Sequence, residues 1–321
     1  MGEIKKTTST PYDDVFRTLL NDCSSLIIPL INEVFGENYT GEEEIVFSAN
    51  EHFINQQDGN EDKRTTDSNF KIIGKETKKY HLECQSGPDS SMLVRLFEYD
   101  TQIALDEGEI EGNILTVTFP HTAVLFLRCN QSTPDTMRIR MITPGGSVVY
   151  DIPVMKSKQY PLEEIFEKNL LFLIPFYIFS YENRFAEYER DEKKMGALEQ
   201  EYEQIKNRLE ELQNQGVVNE YTRRTIIEMS NKVVEHIASK FKRIREGVQS
   251  VMGGKVLEHE AKTIRNEGIL LGRKEGREEG REEGIKGTVS VLKDLGIAPQ
   301  IILKKIQEQY NLSPEVSKKY L

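Results

Sequence analysis

Apolar residues recur in both helical and strand-like patterns along the first 185 residues. Helical spacing predicts one helix over 13–35, kinked at Pro29, and another over 90–106. Runs of strand-forming residues predict strands, the last two of them buried, at 45–54, 65–73, 79–86, 114–119 and 124–129. A hairpin over 137–154 and a buried helix over 165–179 follow. The order α-β-β-β-α-β-β predicts a mixed sheet flanked by helices, an α/β fold.

Residues 186–252 have a helical period throughout. The first apolar seam steps by three or four residues through Met195, Leu198, Tyr202, Ile205, Leu209 and Leu212. A second stripe runs from Ile226 to Val251. The two stripes predict either an antiparallel helical hairpin or a coiled-coil arm that pairs with the same arm of another chain. The second helix carries seven basic and three acidic residues between Arg223 and Glu246, which indicates a solvated helix face or a contact with a DNA backbone.

The last segment, residues 253–321, begins with glycines at every fourth position from Gly268 to Gly284. Glycine weakens a helix, so this stretch is either a helix stabilised by a close helix contact or a flexible linker. Two short helices are predicted after residue 299. The chain therefore divides into segments 1–185, 186–252 and 253–321.

Composition and charge limit the classes of function. The chain has 42 Lys and Arg against 53 Asp and Glu, a net charge of −11, so any contact with nucleic acid must come from local patches. The longest apolar run, 170–179, is shorter than the roughly 20 residues of a membrane span. The first residues have no secretion signal, and we expect a cytoplasmic protein. Cys23, Cys84 and Cys129 are too scattered for a disulfide framework or a zinc site.

The strand over 79–86 carries candidate chemistry. Because side chains alternate along a strand, His81, Glu83 and Gln85 share one face, opposite Cys84. If this strand pairs with the preceding one, the Asp67 and Glu83 carboxylates converge, and carboxylate and carbonyl oxygens suit Mg²⁺. The alternative is that Asp67 caps a turn and Glu83 lies at a solvent-exposed sheet edge.

Four motifs between residues 11 and 99 recur together in a known family, and their combination is more specific than any one of them. They are Pro11-Tyr-Asp-Asp-Val-Phe-Arg, Arg64-Thr-Thr-Asp67, Tyr80-His-Leu-Glu-Cys-Gln-Ser86 and Met92-Leu-Val-Arg-Leu-Phe-Glu-Tyr99. With them, the chain resembles the PD-(D/E)xK nuclease superfamily, in particular its recombination-promoting nuclease/putative transposase branch.

The resemblance implies a restriction-endonuclease-like αβββαβ core with a C-terminal helical arm and metal-dependent cleavage of DNA. It implies that Asp67 and Glu83 ligate Mg²⁺, or Mn²⁺ as a substitute, with the Cys84 carbonyl as a third ligand. Asp13 would help to bind metal or water. Gln85 takes the position of the superfamily's lysine, so this site lacks that positive charge and a neutral amide replaces it.

Basic residues near these strands are candidates for DNA contact. Arg95 is expected to contact phosphate or, alternatively, to form a salt bridge within the core. Arg64 and Lys71 belong to a basic cluster that either attracts the DNA backbone or protects a sheet edge from aggregation. His81 is expected to hydrogen-bond beside Glu83 without being a metal ligand.

Two functions remain open from the sequence. The first is a DNA endonuclease linked to recombination or a mobile element. The alternative is a catalytically weak or inactive DNA-binding or assembly protein that retains the nuclease fold. A homo-oligomer is expected through the helical arm, with a dimer favoured because cleaving both DNA strands needs two sites or two events.

Overall fold

A computed structural model describes residues 11–48, 51–55, 61–65, 68–87, 89–253, 284–310, 312 and 314–320, with the backbone alone for 51–55, 61–65 and 314. The chain divides into two units, residues 1–258 and 259–321. Within the residues that the structure describes, no helix is long and apolar enough to cross a lipid bilayer.

A six-stranded mixed sheet organises the first unit, in the order β1-β4-β5-β8-β10-β9. The strands are β1 (Glu44–Phe47), β2 (Glu51–Asn55), β3 (Glu61–Thr65), β4 (Asn69–Ile73), β5 (Thr77–Gln85), β6 (Glu109–Glu111), β7 (Ile114–Thr116), β8 (His121–Phe126), β9 (Thr136–Thr143) and β10 (Gly146–Lys156). Strands β1, β4 and β5 are antiparallel neighbours, whereas β5, β8 and β10 run parallel. Pairs β2-β3 and β6-β7 are separate two-stranded ribbons. The predicted mixed α/β class is confirmed.

Helices cover both faces of the sheet. They are α1 (Pro11–Asp22), α2 (Ile27–Phe35), α3 (Met92–Asp106), α4 (Leu162–Glu167), α5 (Phe185–Tyr188), α6 (Glu192–Asn214), α7 (Glu220–Ile237) and α8 (Lys242–Met252), with a 3-10 segment over Leu171–Arg184. Met92 and Leu96 of α3 pack on Val124, Phe126 and Ile152, which form one face of the sheet. The central strand β5 is therefore covered on both sides, as its nearly continuous burial requires.

The opposite face of the sheet joins the main hydrophobic core. This core contains Phe16 of α1, Phe172 of the 3-10 segment, Tyr202 of α6 and Ile226 of α7. Helix α7 lies against α1, where the rings of Tyr12 and His236 meet edge to face at 5.2 Å. The core therefore continues across the predicted boundary at residue 185, and the apolar faces of α6 and α7 are covered within the chain.

Several predicted elements differ from the observed ones. The helix predicted over 13–35 is interrupted by a 3-10 turn at Ser24–Leu26, so the break lies three to five residues before Pro29, where the kink was predicted. Pro29 is the third residue of α2, where a backbone N–H has no partner within the helix to lose. The strand predicted over 45–54 is two strands in different sheets, β1 and β2. The strand predicted over 65–73 is shorter than predicted, because β4 begins at Asn69.

Two segments predicted as buried have a different structure. Only Ile114–Thr116 of the range 114–119 is a strand, and it is exposed in the β6-β7 ribbon. The range 165–179 is not one α-helix, because α4 ends at Glu167 and Asn169 has a positive φ of 54°. The following 3-10 segment is buried and contains Pro175, whose missing N–H disfavours an α-helix. The hairpin predicted over 137–154 is confirmed as β9 and β10.

The second unit is a small helical cluster. Its helices are α9 over 284–294, α10 (Pro299–Tyr310) and α11 (Pro314–Ser317), and the two short helices predicted after residue 299 are confirmed. Ile285, Val289, Ile302 and Ile306 form its apolar core. The described part of α9 starts at Gly284, and the preceding part of the glycine repeat lies outside the described residues.

Candidate functional site

Glu83 is a buried carboxylate on the central strand β5, facing α3. His81 Nε2 lies 3.1 Å from its Oε1, and Arg95 Nη2 donates to its Oε2 at 3.1 Å. The expectation that His81 and Glu83 share one face is confirmed by this contact. The alternative placement of Glu83 at a solvent-exposed sheet edge is wrong, because β5 is paired on both sides and covered by α3.

His81 connects Glu83 to a second buried carboxylate, Asp100 of α3. Its Nδ1 lies 2.7 Å from Asp100 Oδ1, which also accepts a hydrogen bond of 2.6 Å from Thr122 Oγ1. Tyr150 Oη donates to Asp100 Oδ2 at 3.2 Å. Both ring nitrogens of His81 therefore meet carboxylate oxygens, which suits a doubly protonated imidazolium.

The electrostatics agree with a charged His81. Burial lowers its pKa, but hydrogen bonds to Asp100 and Glu83 outweigh this effect and raise the pKa to about 9. A positive His81 between two negative carboxylates makes their burial tolerable, because buried charges need a partner. The cluster therefore fixes the Oε1 side of Glu83 firmly inside the protein.

Arg95 closes the outer side of this cluster. Its guanidinium bridges Glu83 and Asp89, with Nη1 donating to Asp89 Oδ2 at 2.9 Å. Asp89 in turn accepts two hydrogen bonds from Ser91, from the backbone N at 2.8 Å and from Oγ at 2.7 Å. Burial raises the pKa of Asp89, but the hydrogen bonds from Ser91 and the positive charge of Arg95 together outweigh burial and lower the pKa, so Asp89 stays ionised. The salt bridge expected as the alternative for Arg95 is thus present.

The other predicted metal and catalytic residues lie as follows. Gln85 is half-buried at the end of β5, and the Cys84 side chain is buried on the opposite face, as the alternation predicted. Asp67 lies outside the described residues. Asp13 is in the first turn of α1, next to Tyr12. Arg128 connects α1 with the end of β5, because it donates to Tyr12 Oη at 3.4 Å and to the carbonyl of Ser86, the residue after β5, at 3.1 Å.

The predicted DNA-contact residues have acidic partners where the structure describes them. Lys71 and Lys79 both lie 2.8 Å from the carboxylate of Glu107 at the end of α3. Burial raises the pKa of Glu107, but the two lysines lower it more, which keeps the carboxylate ionised. Only the backbone of Arg64 is described, in β3 paired with His52. A phosphate group at Lys71 would therefore compete with Glu107.

Sequence reasoning missed Asp100, Asp89 and Tyr150. A signal for Asp100 exists, since it stands four residues after Leu96 and three before Ile103 on the apolar stripe of α3. An acid on a core-facing stripe needs a buried partner. Asp89 and Tyr150 reach the cluster through the chain's tertiary packing and leave no comparable local signal.

The oxygen donors of this site suit Mg²⁺ in kind, as carboxylate and carbonyl groups. Both oxygens of Glu83, however, face cationic side chains. Across the described ranges, no cluster of three or more His, Cys, Asp or Glu side chains has a geometry that could hold a metal ion. A divalent ion at Glu83 Oε2 would need Arg95 to leave that oxygen. No protein-family model, curated protein or solved structure matches the chain.

Proposed function

We propose that the chain is a metal-dependent DNA endonuclease with a restriction-endonuclease-like core, linked to recombination or a mobile element. The observation that carries this proposal is the buried Glu83 carboxylate on the central strand, with a partly exposed arginine over its outer oxygen. Titratable groups that are buried beside a specific charge partner cluster at functional sites.

The order of elements supports the proposed core. Helices α1 and α2 precede three antiparallel strands of the main sheet, β1, β4 and β5. Helix α3 then leads to β8, which is parallel to β5. This is the αβββαβ order that the family resemblance implies, with β2-β3 and β6-β7 as additional ribbons.

Asp67 and Glu83 would hold the ion, with the Cys84 carbonyl as a third ligand. Asn69 of β4 pairs with His81 of β5. In the sequence, Asp67 stands two residues before Asn69 and Glu83 two residues after His81. A bound Mg²⁺ supplies charge stabilisation at a phosphodiester and acidifies a water molecule.

The neighbouring side chains have narrower roles. Gln85 is neutral and can hydrogen-bond to a water or a phosphate, but it cannot accept a proton as a general base. His81 holds Glu83 Oε1 and is itself held by Asp100, so it orients the carboxylate. Asp13 would approach from α1, whose first turn is tied to the end of β5 through Arg128.

DNA would be held through local charge, given the net −11 of the chain. Arg95, Arg64 and Lys71 are the proposed phosphate contacts. With so few contacts, the affinity should fall only modestly as salt rises, because the slope follows the number of phosphates neutralised. A dimer would need a surface other than the apolar faces of α6 and α7, because these pack inside the chain.

One observation favours the second candidate, a catalytically weak or inactive DNA-binding or assembly protein. Arg95 and His81 already pair with both oxygens of Glu83. This arrangement fits a protein in which Glu83 stabilises the fold and does not bind a metal ion. The two candidates share the fold and differ in whether a metal ion replaces Arg95.

Plasmid nicking separates the candidates. Wild type, Asp67→Asn and Glu83→Gln are compared in Mg²⁺, Mn²⁺ and EDTA, with Asp151→Asn as the control. Asp151 is an exposed acid paired with Arg138 on the β9-β10 hairpin. We expect metal-dependent nicking that both site variants abolish and the control retains. Nicking that survives both substitutions refutes the proposed site, and salt-dependent DNA binding without nicking supports the second candidate.

A further inference from the structure

Helix α3 has a second row of apolar side chains beside the row that packs on the sheet. Leu93, Phe97 and Leu105 lie four or eight residues apart and therefore share one side of the helix. Val94 widens this row. The four side chains are between 36% and 61% exposed. A helix in a soluble protein places polar residues on its solvent side, so this row indicates a surface that another element covers.

The β6-β7 ribbon continues this surface beyond the end of α3. Leu115 and Val117 approach Gly108, just after α3, to 3.2 and 3.3 Å from the position that a Cβ would occupy there. The ring of Phe119 then stacks on Phe97 with centroids 6.4 Å apart, so the chain after the ribbon returns along the exposed side of α3. The exposed apolar side chains of this stretch are Ile110, Ile114, Leu115 and Val117. A two-stranded ribbon alone is only marginally stable in water, so it too gains from a covering surface.

These eight exposed side chains of α3 and of residues 110–117 form one patch, the α3-ribbon patch. Their exposed fractions together equal about four fully exposed side chains, or roughly 400–600 Å² of apolar surface. Monomeric proteins rarely expose contiguous apolar patches larger than a few hundred Å². A standard interface buries about 800 Å² of each partner, somewhat more than half of it apolar. The patch therefore supplies the apolar area that one side of a stable dimer needs.

The charges around the patch lie at one end of it. Asp106, Glu109 and Glu111 are exposed at the C-terminal end of α3 and in the ribbon, whereas the first turn of α3 has no acidic residue. If two copies of α3 pack antiparallel, the acids of one copy approach the N-terminal end of the other helix, which carries the positive end of the helix dipole. A two-fold axis makes this favourable contact twice.

We infer that the α3-ribbon patch binds the same patch of a second copy of the chain, and that the two α3 helices pack antiparallel across a two-fold axis. This dimer uses a surface other than the apolar faces of α6 and α7, which are covered within the chain. The inference does not depend on nuclease activity or on a metal ion.

Sedimentation equilibrium of the full chain measures the assembly directly. We expect the wild-type mass to approach twice the 37.0 kDa of one chain as the concentration rises. Val94→Glu and Ile110→Glu should each weaken the dimer at least about tenfold, because each buries a charge without a partner. The matched controls are Val217→Glu, after α6, and Ile142→Glu, on β9, whose side chains are 54% and 79% exposed and lie outside the patch. Both controls should dimerise like wild type.

Disulfide cross-linking tests the antiparallel arrangement. Residues 93 and 105 are twelve positions apart on α3, or roughly 18 Å, so they cannot form a disulfide within one chain. In an antiparallel pair, position 93 of one copy lies beside position 105 of the other. We expect a variant that combines Leu93→Cys with Leu105→Cys, in a Cys129→Ser background, to form a covalent dimer on oxidation. Leu93→Cys alone should remain monomeric on a non-reducing gel.

The outcomes decide the inference separately from the proposed function, since none of them reads nicking. A wild-type chain that stays at 37.0 kDa over the whole concentration range overturns the dimer. A dimer that Val94→Glu and Ile110→Glu leave intact, or that the two controls weaken equally, overturns this surface. Cross-linking by Leu93→Cys alone overturns the antiparallel packing of α3.

Discussion

The hydroxyl of Tyr202 is buried without a hydrogen-bond partner among the described residues, so removing it should stabilise the protein. Tyr202 lies in α6 and is 0% exposed. A buried polar group without a partner costs about 1–3 kcal/mol, whereas the small void left by one oxygen costs only a few tenths. Tyr202→Phe should therefore raise the free energy of unfolding by about 1 kcal/mol.

Thermal unfolding followed by circular dichroism measures this effect. For a unit of this size, 1 kcal/mol corresponds to an increase in Tm of roughly 2–4 °C. Tyr181→Phe is the matched control, since Tyr181 lies close by and donates its hydroxyl to Glu201. That variant should lower Tm, because a hydrogen bond to a charged group contributes about 1.5–3 kcal/mol. If Tyr202→Phe lowers Tm as Tyr181→Phe does, the Tyr202 hydroxyl has a partner and the reasoning is refuted.

Two further predictions follow from the buried groups. Asp100→Asn should destabilise the protein by about 3 kcal/mol or more, because it leaves the buried His81 cation without one of its carboxylate partners. The exposed control Asp151→Asn should leave Tm unchanged. Equal Tm values for the two variants would contradict the charged cluster. Burial raises the pKa of the Cys23 thiol to about 11, because it outweighs the hydrogen bonds with Thr225 and Thr222, which lower the pKa. At pH 8, a disulfide reagent should therefore modify the half-buried Cys129 and leave Cys23 unmodified until the protein unfolds. Equal rates at the two thiols by mass spectrometry would show that the core around Cys23 opens readily.

The sequence predicted best those elements whose periodicity is strong. Helix α3 and strand β5 lie close to their predicted ranges because their apolar positions fit one period over their whole length. The range 165–179 was predicted as one buried helix because it is largely apolar, and burial alone does not determine where an α-helix ends or whether a 3-10 helix follows it. The seam of α6 predicted a buried face correctly, but a stripe does not tell whether the covering surface belongs to the same chain or to another.

The candidate site could likewise be predicted only where local periodicity determines the position of a side chain. Alternation along β5 placed His81 and Glu83 on one face and Cys84 on the other, since this depends only on the period of a strand. The contacts of Glu83 with Arg95 and, through His81, with Asp100 depend on how α3 lies across the sheet. That arrangement is set by many side chains together, and no local pattern encodes it.

The contact between α1 and α7 determines when the main core can be completed during synthesis. Tyr12 and His236 touch across 224 positions of the chain. At roughly 5–20 residues per second, α1 leaves the ribosome about 10–45 s before its covering helix exists. The apolar side of α1, including Phe16 and Leu19, stays incompletely covered during that interval. Helix α1, the first of the described helices along the chain, is thus among the last of them to reach its native surroundings, and during that interval it offers chaperones an apolar surface.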